Sequence, residues 1–485
     1  MPYIPTIGLE IHVELKTRTK MFCSSLNDPE EKTPNTNICE ICTAQPGVLP
    51  VINKEAINKV LKTGMALNCE IPEYSKFDRK NYFYPDLPKG YQISQYDKPL
   101  CEKGYLDIDG RKIKITRIHL EEDTGRLIHP MGEDYSLVDF NRAGIPLMEL
   151  VTDPDLRSAK EARVFSEELQ LILRYLNISN ADMEKGQMRC EANVSVRKEG
   201  TDALGTKVEI KNLNSFKSLE KGIDFEIKRQ EELLSKGEKV IQETRGYNAT
   251  KEETYPQREK EEAHDYRYFP EPDLPILHFN EIYLKELKGE IGELPSQRRE
   301  RFKEEYRLED KETEAFVTNK ELGEYFEQVI SELKDWMKEK NIKDDYKLIR
   351  IAANYILSDF QGLLKEKNVN PKSSKITGEN FAEFITLIHE GKILSKIAKM
   401  VLLQMFETGK DPSNIIEESG LLVIEDEGLI RKAVEEILSL NKKAVEDIRK
   451  GKENALQFLV GQVMAKTKGR ANPETARGIL KEIIR

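Results

Sequence analysis

The sequence predicts an α+β protein in which an antiparallel sheet comes first and helices alone follow. Two observations support this prediction. Several stretches before about residue 290 alternate apolar and polar residues, as strands with one buried face do. Beyond about residue 295 the pattern is charged and helical, with the only tryptophan, Trp336, on a helix face. Strands followed by helices are typical of α+β chains with separate domains.

The first strand is predicted for Gly8–Leu15, where apolar and polar residues alternate strictly. This pattern gives one face to Glu10, His12 and Glu14, and the other to a packed core. Alternate residues on a strand face are close enough for a carboxylate and an imidazole to bind one cation. An edge strand with a solvated acidic face is the alternative that these eight residues leave open.

Three of the six cysteines, Cys23, Cys39 and Cys42, lie close together in the sequence. The C-x-x-C spacing of Cys39 and Cys42 is typical of one half of a structural zinc site, and Cys23 adds a third thiol. A closed site needs four ligands, and Ser25 is the nearest further candidate in the sequence. Both zinc binding and a set of unligated thiols therefore stay open.

Helical periodicity and capping residues predict three helices within the strand-rich part. They cover Asn53–Leu67 with Asn53 as the cap, Ser158–Leu176, and Ser215–Ser235. Their apolar stripes are those of structural helices.

Two loops combine aromatic and charged residues. The first, Phe77–Gln92, contains two prolines, Arg79 and Lys80, and we expect an ordered loop around a short strand. The second is Ala263–Pro272. These residue types bind phosphates and stack on bases, although an aromatic loop packed on the core is the alternative.

Two further regions are predicted to add acidic strands to the sheet. One ends in the acidic run from Arg117 to Gly125. The other comprises Met188–Arg197 and Val208–Asn212. Carboxylates are the ligands that Mg²⁺ takes together with substrate phosphates. On this strand argument the magnesium ligands also include Glu149, Glu191 and Glu209, and the further phosphate contacts are Arg79, Arg189 and Lys211.

Length and composition predict three domains. A chain of 485 residues exceeds one ordinary core, and its composition changes near Leu294-Pro295 and again at Gly409–Ser413. We therefore expect domains at 1–294, 295–408 and 409–485. Within the last of these, Asn472 and Pro473 are predicted to cap and open the final helix.

The net charge of -10 argues against a general nucleic-acid coat, yet residues 441–485 carry eleven Lys and Arg against five Asp and Glu. A basic tail of this kind favours contact with a phosphate backbone, and a solvated helical face explains it equally well. No apolar run approaches the roughly 20 residues of a membrane span, and the first residues lack a signal-peptide pattern. We expect a cytoplasmic protein.

Several catalytic motifs are missing. The sequence contains no G-x-x-x-x-G-K-[ST] phosphate loop and no G-x-S-x-G nucleophile motif. Amide hydrolysis through a covalent intermediate is therefore not expected. If the chain uses ATP, we expect magnesium ions on an antiparallel sheet to bridge phosphate and carboxylates, as in glutamine synthetase.

The chain resembles the GatB family, a component of tRNA-dependent aspartyl/glutamyl amidotransferases, over essentially its whole length. The resemblance lies in five motifs: GLEIHVEL (8–15), FDRKNYFYPDLPKGYQISQY (77–96), RIHLEEDTG (117–125), VDFNRAGIPLMELVTDPD (138–155) and AHDYRYFPEPDLP (263–275). It implies a glutamine-synthetase-like cradle, a helical domain and a small helical tail of the YqeY type.

The resemblance also implies a reaction. Members of the GatB family use ATP and magnesium to phosphorylate the side-chain carboxylate of Glu-tRNA(Gln) or Asp-tRNA(Asn). Ammonia released by an amidase, the A subunit, then displaces the phosphate, and a small C subunit completes the heterotrimer. Glu10, His12 and Glu122 match family motif positions for the metal, and Lys80 matches a position facing the phosphate. The family's cysteine motif has C-x-C before C-x-x-C, and Ser25 replaces its second cysteine.

Two other functions remain open on the sequence. A small-molecule carboxylate–amine ligase would amidate free glutamate or aspartate without tRNA. A tRNA adaptor would leave all the chemistry to its partner, and its acidic strands would bind no metal. The choice between Glu-tRNA and Asp-tRNA cannot be read from the sequence.

Overall fold

The chain divides into two units, Met1–Pro295 and Ser296–Arg485. The computed structural model describes residues 3–259, 265–340, 345–420, 424, 426–449 and 452–484. Ala263 and His264 of the second aromatic loop lie outside these ranges. Mixed α+β architecture is confirmed, since the strands lie in the first unit and the described part of the second unit is almost entirely helical.

The first unit contains fifteen described strands and four helices. In chain order they are β1 (Tyr3–Glu14), α1 (Lys54–Ala66), β2 (Tyr74–Ser75), β3 (Asp78–Asn81), β4 (Tyr91–Ser94), β5 (Cys101–Ile108), β6 (Arg111–Glu122), β7 (Arg126–Ile128), β8 (Leu137–Asp139), β9 (Pro146–Thr152), α2 (Ala159–Tyr175), β10 (Met188–Lys198), β11 (Val208–Leu213), α3 (Phe216–Ser235), β12 (Glu243–Asn248), β13 (Glu253–Glu259), β14 (Phe269–Pro270), β15 (Leu277–His278) and α4 (Glu281–Gly289).

Eight strands form the main sheet, in the order β13-β12-β11-β10-β1-β9-β6-β5. All neighbours are antiparallel except β11 and β12. Strand β1 lies near the centre, between β10 and β9. Its apolar residues Leu9, Ile11 and Val13 are at most 1% exposed, so one face of this strand packs into the core as the alternation predicts.

Helices α1, α2 and α3 pack against strands of this sheet. The helix predictions are confirmed to within a residue at each start. Asn53 caps α1 by accepting hydrogen bonds from the amides of Glu55 and Ala56, and Ser158 and Ser215 cap α2 and α3. The apolar stripes of the helices and of β1 belong to one hydrophobic core.

A small three-stranded sheet, in the order β14-β3-β4, carries the first aromatic loop. Strand β3 holds Arg79 and Lys80, and Phe269 of β14 pairs with Arg79. The expected short strand within this loop is confirmed.

The second unit is helical over the residues that the structure describes, apart from one isolated β-bridge between Ile424 and Ala471. Its helices are α5 (Pro295–Tyr306), α6 (Asp310–Thr318), α7 (Lys320–Glu339), α8 (Asp345–Tyr355), α9 (Gln361–Lys367), α10 (Gly378–His389), α11 (Ser395–Thr408), α12 (Pro412–Ser419), α13 (Glu427–Leu440), α14 (Lys442–Arg449), α15 (Glu453–Lys466) and α16 (Pro473–Ile484), with a π-helical turn at Ile356–Phe360 and a 3₁₀ turn at Pro371–Ser373.

Two hydrophobic cores occupy the second unit, one between Phe302 and Ile416 and the other between Ile430 and Ile484. The final helix starts as predicted, because Asn472 accepts a hydrogen bond from the amide of Glu474 at 2.9 Å. None of the described helices combines the length and the apolar character that a membrane crossing requires.

Candidate functional site

Five ionisable side chains meet on the face of the main sheet opposite the buried residues of β1. Glu10 and His12 come from β1, Glu149 from β9, and His119 and Glu121 from β6. Antiparallel register brings them together, because Glu149 lies directly opposite both His12 and His119. Directly opposed residues of an antiparallel pair share a face of the sheet.

The carboxylate of Glu149 is the centre of this cluster. His12 Nε2 lies 3.3 Å from its Oε2, and His119 Nε2 lies 3.2 Å from the same oxygen. His12 Nε2 is also 3.9 Å from Glu121 Oε1 and 4.0 Å from Glu10 Oε1. In the part of the chain that the structure describes, Glu149 belongs to both groups of three carboxylate and imidazole ligands within 4.8 Å of one another: Glu10, His12 and Glu149, and His119, Glu121 and Glu149.

The electrostatics of the cluster show that it accommodates positive charge. Burial disfavours protonated His119, but the charges of Glu149 and Glu121 outweigh this and raise its pKa to about 9. His12 behaves likewise, since burial is outweighed by the hydrogen bond to Glu149 and its pKa is raised. Burial alone would raise the pKa of Glu149, yet the two histidines hold it well below its ordinary value.

Glu10 shows the opposite shift. Its pKa is raised by burial and by the charge of Glu149, and Glu191 adds to the repulsion. Glu10 is also the more accessible carboxylate, with 32% of its side chain exposed against 7% for Glu149. A bound cation would relieve the electrostatic repulsion within a crowded, partly accessible group of carboxylates of this kind.

Lys80 lies beside the cluster and faces two tyrosine rings. Its Nζ is 5.1 Å from the ring centroid of Tyr266 and 5.9 Å from that of Tyr82. Burial would lower the pKa of Lys80, but the charges of Glu121 and Glu149 outweigh it and raise the pKa. Lys80 therefore stays protonated next to the carboxylates, where it can neutralise an anionic group of a ligand.

A second set of charged residues adjoins Glu10 across the neighbouring strands. Glu191 lies opposite Glu10 in the register, and Lys211 Nζ lies 2.6 Å from Glu191 Oε2 and 3.5 Å from Glu209 Oε1. Thr244 also donates to Glu209. Glu191 and Glu209 thus lie near the cluster, but both carboxylates form ion pairs with Lys211.

Arg189 extends this face toward the end of β1. It lies opposite His12 in the register, and its Nη2 is 3.3 Å from Oδ1 of Asp123. Arg142 Nε contacts the other oxygen of Asp123 at 3.3 Å. Asp123 therefore forms ion pairs with two arginines.

Two further predicted residues, Glu122 and Arg79, also lie outside the cluster. Glu122 is absent from the ligand groups found among the described residues. Its carboxylate binds Lys89 Nζ at 2.7 Å and accepts a hydrogen bond from the amide of Ile93 at 2.9 Å. Arg79 makes a two-point ion pair with Glu271, with distances of 2.7 and 2.8 Å. Metal binding by Glu122 and phosphate binding by Arg79 remain predictions, and both groups already have strong partners.

Sequence reasoning missed two members of the cluster, His119 and Glu121. The alternation of β6 contained the signal, because both residues have the opposite parity to the buried Ile118 and Leu120. Glu122, in contrast, alternates in phase with the core residues Ile118 and Leu120.

The three cysteines that are close in the sequence are also close in space. The sulfur atoms of Cys23, Cys39 and Cys42 lie within 4.8 Å of one another, which is compatible with zinc–sulfur bonds of about 2.3 Å. Ser25 Oγ is 3.9 Å from Cys42 Sγ. The hydrogen bond between Cys23 and Cys42 lowers the pKa of Cys42 to about 4 and raises the pKa of Cys23, so the two thiols share one proton. The residues present fit a zinc ion with three sulfur ligands.

The donor set on the sheet likewise fits a divalent cation. Carboxylate oxygens predominate, with imidazole nitrogens beside them, and this combination suits magnesium or manganese better than a thiolate-preferring metal. With Lys80 next to these ligands, fold and site together define a candidate metal-assisted enzyme of the α+β class that acts on an anionic substrate.

Comparison with known proteins identifies the family. Residues 5–285 match the family model of the GatB/GatE catalytic domain, and residues 324–484 match that of the GatB domain. The chain is 48% identical over 492 residues to the B subunit of aspartyl/glutamyl-tRNA(Asn/Gln) amidotransferase from Thermotoga petrophila and from Thermotoga maritima, covering 100% of this chain and 99% of each relative. The corresponding protein of Persephonella marina is 46% identical, with 100% of both chains covered. The chain belongs to the GatB family.

Proposed function

We propose that this chain is the GatB component of a tRNA-dependent amidotransferase. It converts glutamate on Glu-tRNA(Gln), aspartate on Asp-tRNA(Asn), or both, into the corresponding amide for translation in the cytoplasm. The observation that carries the proposal is the Glu149 cluster beside Lys80, in a chain that matches relatives of this name from end to end.

The reaction consists of two transfers. The side-chain carboxylate first takes the γ-phosphoryl group of ATP, which yields an acyl phosphate and ADP. Ammonia then attacks the carbonyl carbon, the carbon–oxygen bond to phosphate breaks, and the products are the amide, phosphate and a proton. Phosphorylation is needed because the negative charge of a carboxylate repels nucleophiles and its oxygen is a poor leaving group.

The residues of the cluster have separate roles in this proposal. Glu10, His12 and Glu149 would hold a magnesium ion, and His119 and Glu121 form the second ligand group with Glu149. Bound magnesium neutralises charge on the phosphate oxygens. Lys80 supplies a further positive charge from the side of the aromatic loop.

The ammonia must come from another subunit. The sequence lacks an amidase nucleophile motif, and the relatives are named as subunits of an amidotransferase. An amidase, the A subunit, which hydrolyses glutamine, and a small C subunit complete the proposed heterotrimer.

The organisation of the chain follows the same proposal. Residues 1–294 form a catalytic cradle of glutamine-synthetase type, 295–408 a helical domain, and 409–485 a YqeY-like tail that binds tRNA. Support for the tail comes from a cavity of about 690 Å³ whose lining includes Lys442, Lys443 and the half-exposed ring of Phe458, together with Lys452, which pairs with Asp447 at 3.0 Å. Lysines bind phosphates and an accessible aromatic ring stacks on a base.

We also propose a structural zinc at the three cysteines Cys23, Cys39 and Cys42.

The experiment that tests the proposal is amide formation on Glu-tRNA by the reconstituted complex, with ATP, magnesium and ammonium chloride in place of glutamine. Ammonium bypasses the amidase, so the assay isolates the chemistry assigned to this chain. We expect Glu149→Gln to lower the rate at least a hundredfold while tRNA binding stays unchanged, because this substitution removes the carboxylate shared by both ligand groups.

The matched control is Glu199→Gln, an exposed glutamate next to the end of β10 in the same sheet, and it should keep the wild-type rate. Glu122→Gln in the same assay decides whether the carboxylate paired with Lys89 also takes part. Wild-type rates with Glu149→Gln would contradict the site assignment. Amidation of free glutamate without tRNA would favour a small-molecule ligase instead.

A further inference from the structure

The carboxylate of Glu14, at the end of β1, is buried and lacks a partner. The residue is 7% exposed, and its Oε2 has no hydrogen-bond partner among the described residues. An unpaired buried carboxylate is costly, because it has lost its contact with water without gaining a hydrogen bond in exchange. A buried polar group of this kind is explained when a ligand supplies the missing donor.

Glu14 lines a cavity of about 400 Å³, which is large enough for an amino acid and its ester group. Arg142, Met183 and Asn214 are among the other lining residues. The cavity adjoins the ligand cluster, because Glu14 lies two residues beyond His12 on the same face of β1. A molecule that occupies this cavity can therefore reach the cluster.

The charges around Glu14 favour an amino group over a metal ion or an anion. A divalent cation takes several oxygen ligands, whereas Glu14 belongs to none of the groups of potential metal ligands in the described parts of the chain. The Glu14 carboxylate would repel an anion, and Arg142 is already paired with Asp123 at 3.3 Å. Arg126 and Lys185 also line the cavity, but both are exposed and keep their contact with water. An amino group supplies both the missing hydrogen-bond donor and a single positive charge.

The proposed substrate carries such a group at a matching distance. Alternate residues of a strand, such as His12 and Glu14, lie about 6.6 Å apart. This spacing is comparable with the length of a glutamate residue from its α-nitrogen to its side-chain carboxylate. When that carboxylate lies at the Glu149 cluster, the α-amino group is within reach of Glu14.

We propose that Glu14 binds the α-amino group of the glutamate or aspartate carried by the tRNA, while the side-chain carboxylate of that amino acid faces the Glu149 cluster and Lys80. The inference deepens the proposed function and rests on it. Binding at both ends fixes the reacting carboxylate relative to ATP and magnesium, and such positioning accelerates a reaction between bound groups. It also makes a free α-amino group a requirement, so an acyl-tRNA without this group is a poor substrate.

The test compares two substrates in the ammonium-driven assay with the reconstituted complex. One is Glu-tRNA, and the other is the same tRNA acylated with glutarate, which has the carbon chain of glutamate without the α-amino group. We expect wild type to amidate Glu-tRNA with an at least tenfold higher kcat/KM than glutaryl-tRNA.

The variant Glu14→Gln keeps the side-chain volume, and circular dichroism can verify its fold. We expect its kcat/KM for Glu-tRNA to fall at least tenfold, mainly through kcat, because contacts with the tRNA backbone supply most of the affinity. For glutaryl-tRNA, kcat/KM should stay within twofold of wild type, because this substrate has no α-amino group to lose.

The matched control is Glu199→Gln, an exposed glutamate next to the end of β10, and it should keep both values. Unchanged kcat/KM for Glu-tRNA in Glu14→Gln would overturn the inference, and equal losses with both substrates would do so by indicating a purely structural role. A raised KM for ammonium would also overturn it, since Glu14 would then bind the incoming nucleophile, as would the loss of a bound ion in a manganese titration. Failure of the wild-type complex to amidate Glu-tRNA with ammonium would instead refute the proposed function.

Discussion

Glu14 offers a test of the electrostatics at the end of β1. Its side chain is 7% exposed, and its Oε2 has no hydrogen-bond partner in the described structure. Burial and the charge of Asp123 raise its pKa to about 7, against the smaller opposing effects of Arg142 and Arg189. A pKa of about 7 in place of 4.5 corresponds to about 3 kcal/mol of unfavourable free energy for the ionised folded chain.

The sign follows from proton linkage. The folded state holds this proton more tightly than the unfolded state, so the protonated carboxyl stabilises the fold fully below pH 4.5. That stabilisation is lost as the pH rises through about 7. Glu14→Gln keeps the volume and removes the titration. We expect the unfolding free energy of the variant to rise by about 2 to 3 kcal/mol relative to wild type between pH 5 and pH 8.

The measurement must separate the two units, since a chain of this kind does not unfold in a single transition. Trp336 lies in helix α7 of the second unit, so its fluorescence reports that unit. Calorimetry and circular dichroism follow both units, so a transition that they detect and the tryptophan signal does not is assigned to the first unit. All scans should contain EDTA so that the ligand cluster is metal-free in both proteins.

The exposed Glu199→Gln serves as the control, and it should leave the pH dependence unchanged. A parallel loss of stability in wild type and Glu14→Gln between pH 5 and pH 8 would show that Glu14 does not titrate in this range. The reasoning is then refuted, and it is also refuted if the difference appears in the tryptophan-detected transition instead of the first-unit transition.

Two further predictions concern the cysteines and the tail. Cys42→Ser should abolish the roughly one zinc per chain that we expect by elemental analysis, and should lower the melting temperature of the first unit without changing the ammonium-driven rate per folded molecule; wild type without zinc would contradict this. Lys442→Glu/Lys443→Glu should weaken tRNA binding about tenfold at 0.1 M salt and flatten its salt dependence. Lys481→Glu, exposed on the last helix of the same tail, is the control, and an equal effect there would indicate general charge repulsion.

Local patterns sufficed for the central strand of the main sheet and for three helices that pack on it. Strict alternation identified the centre of β1, and polar residues at helix starts located α1, α2 and α3 to within a residue. Both signals are local, because burial of one face and capping depend on neighbours in the sequence. The strand order could not be predicted, because β1 pairs with strands that begin 132 and more residues later in the chain.

The distant partners of charged side chains were also beyond prediction from the sequence. Glu209 lies two residues before Lys211 on β11, so local alternation brings these two together. Nothing in the sequence indicates that the same ammonium also pairs with Glu191, which it meets only through the pairing of β10 and β11. Arg79 finds Glu271 nearly two hundred residues away. The residue types identified candidate ligands for metals and phosphates. The pairing of distant segments determined which of these charged residues form ion pairs with each other.

Strand β6 shows how one irregularity changes such an assignment. The pairing with β9 shifts between Ile115 and Arg117, so that Ile115 and Ile118 are both buried although they are three residues apart. Parity counted from the start of the strand is therefore reversed beyond this shift. Counted instead from the buried Ile118, the alternation directs His119 and Glu121 to the face of the Glu149 cluster, whereas Glu122 alternates in phase with the core residues. Alternation alone places adjacent glutamates on opposite faces of a strand, and the bulge decides that Glu121, rather than Glu122, lies on the face of the cluster.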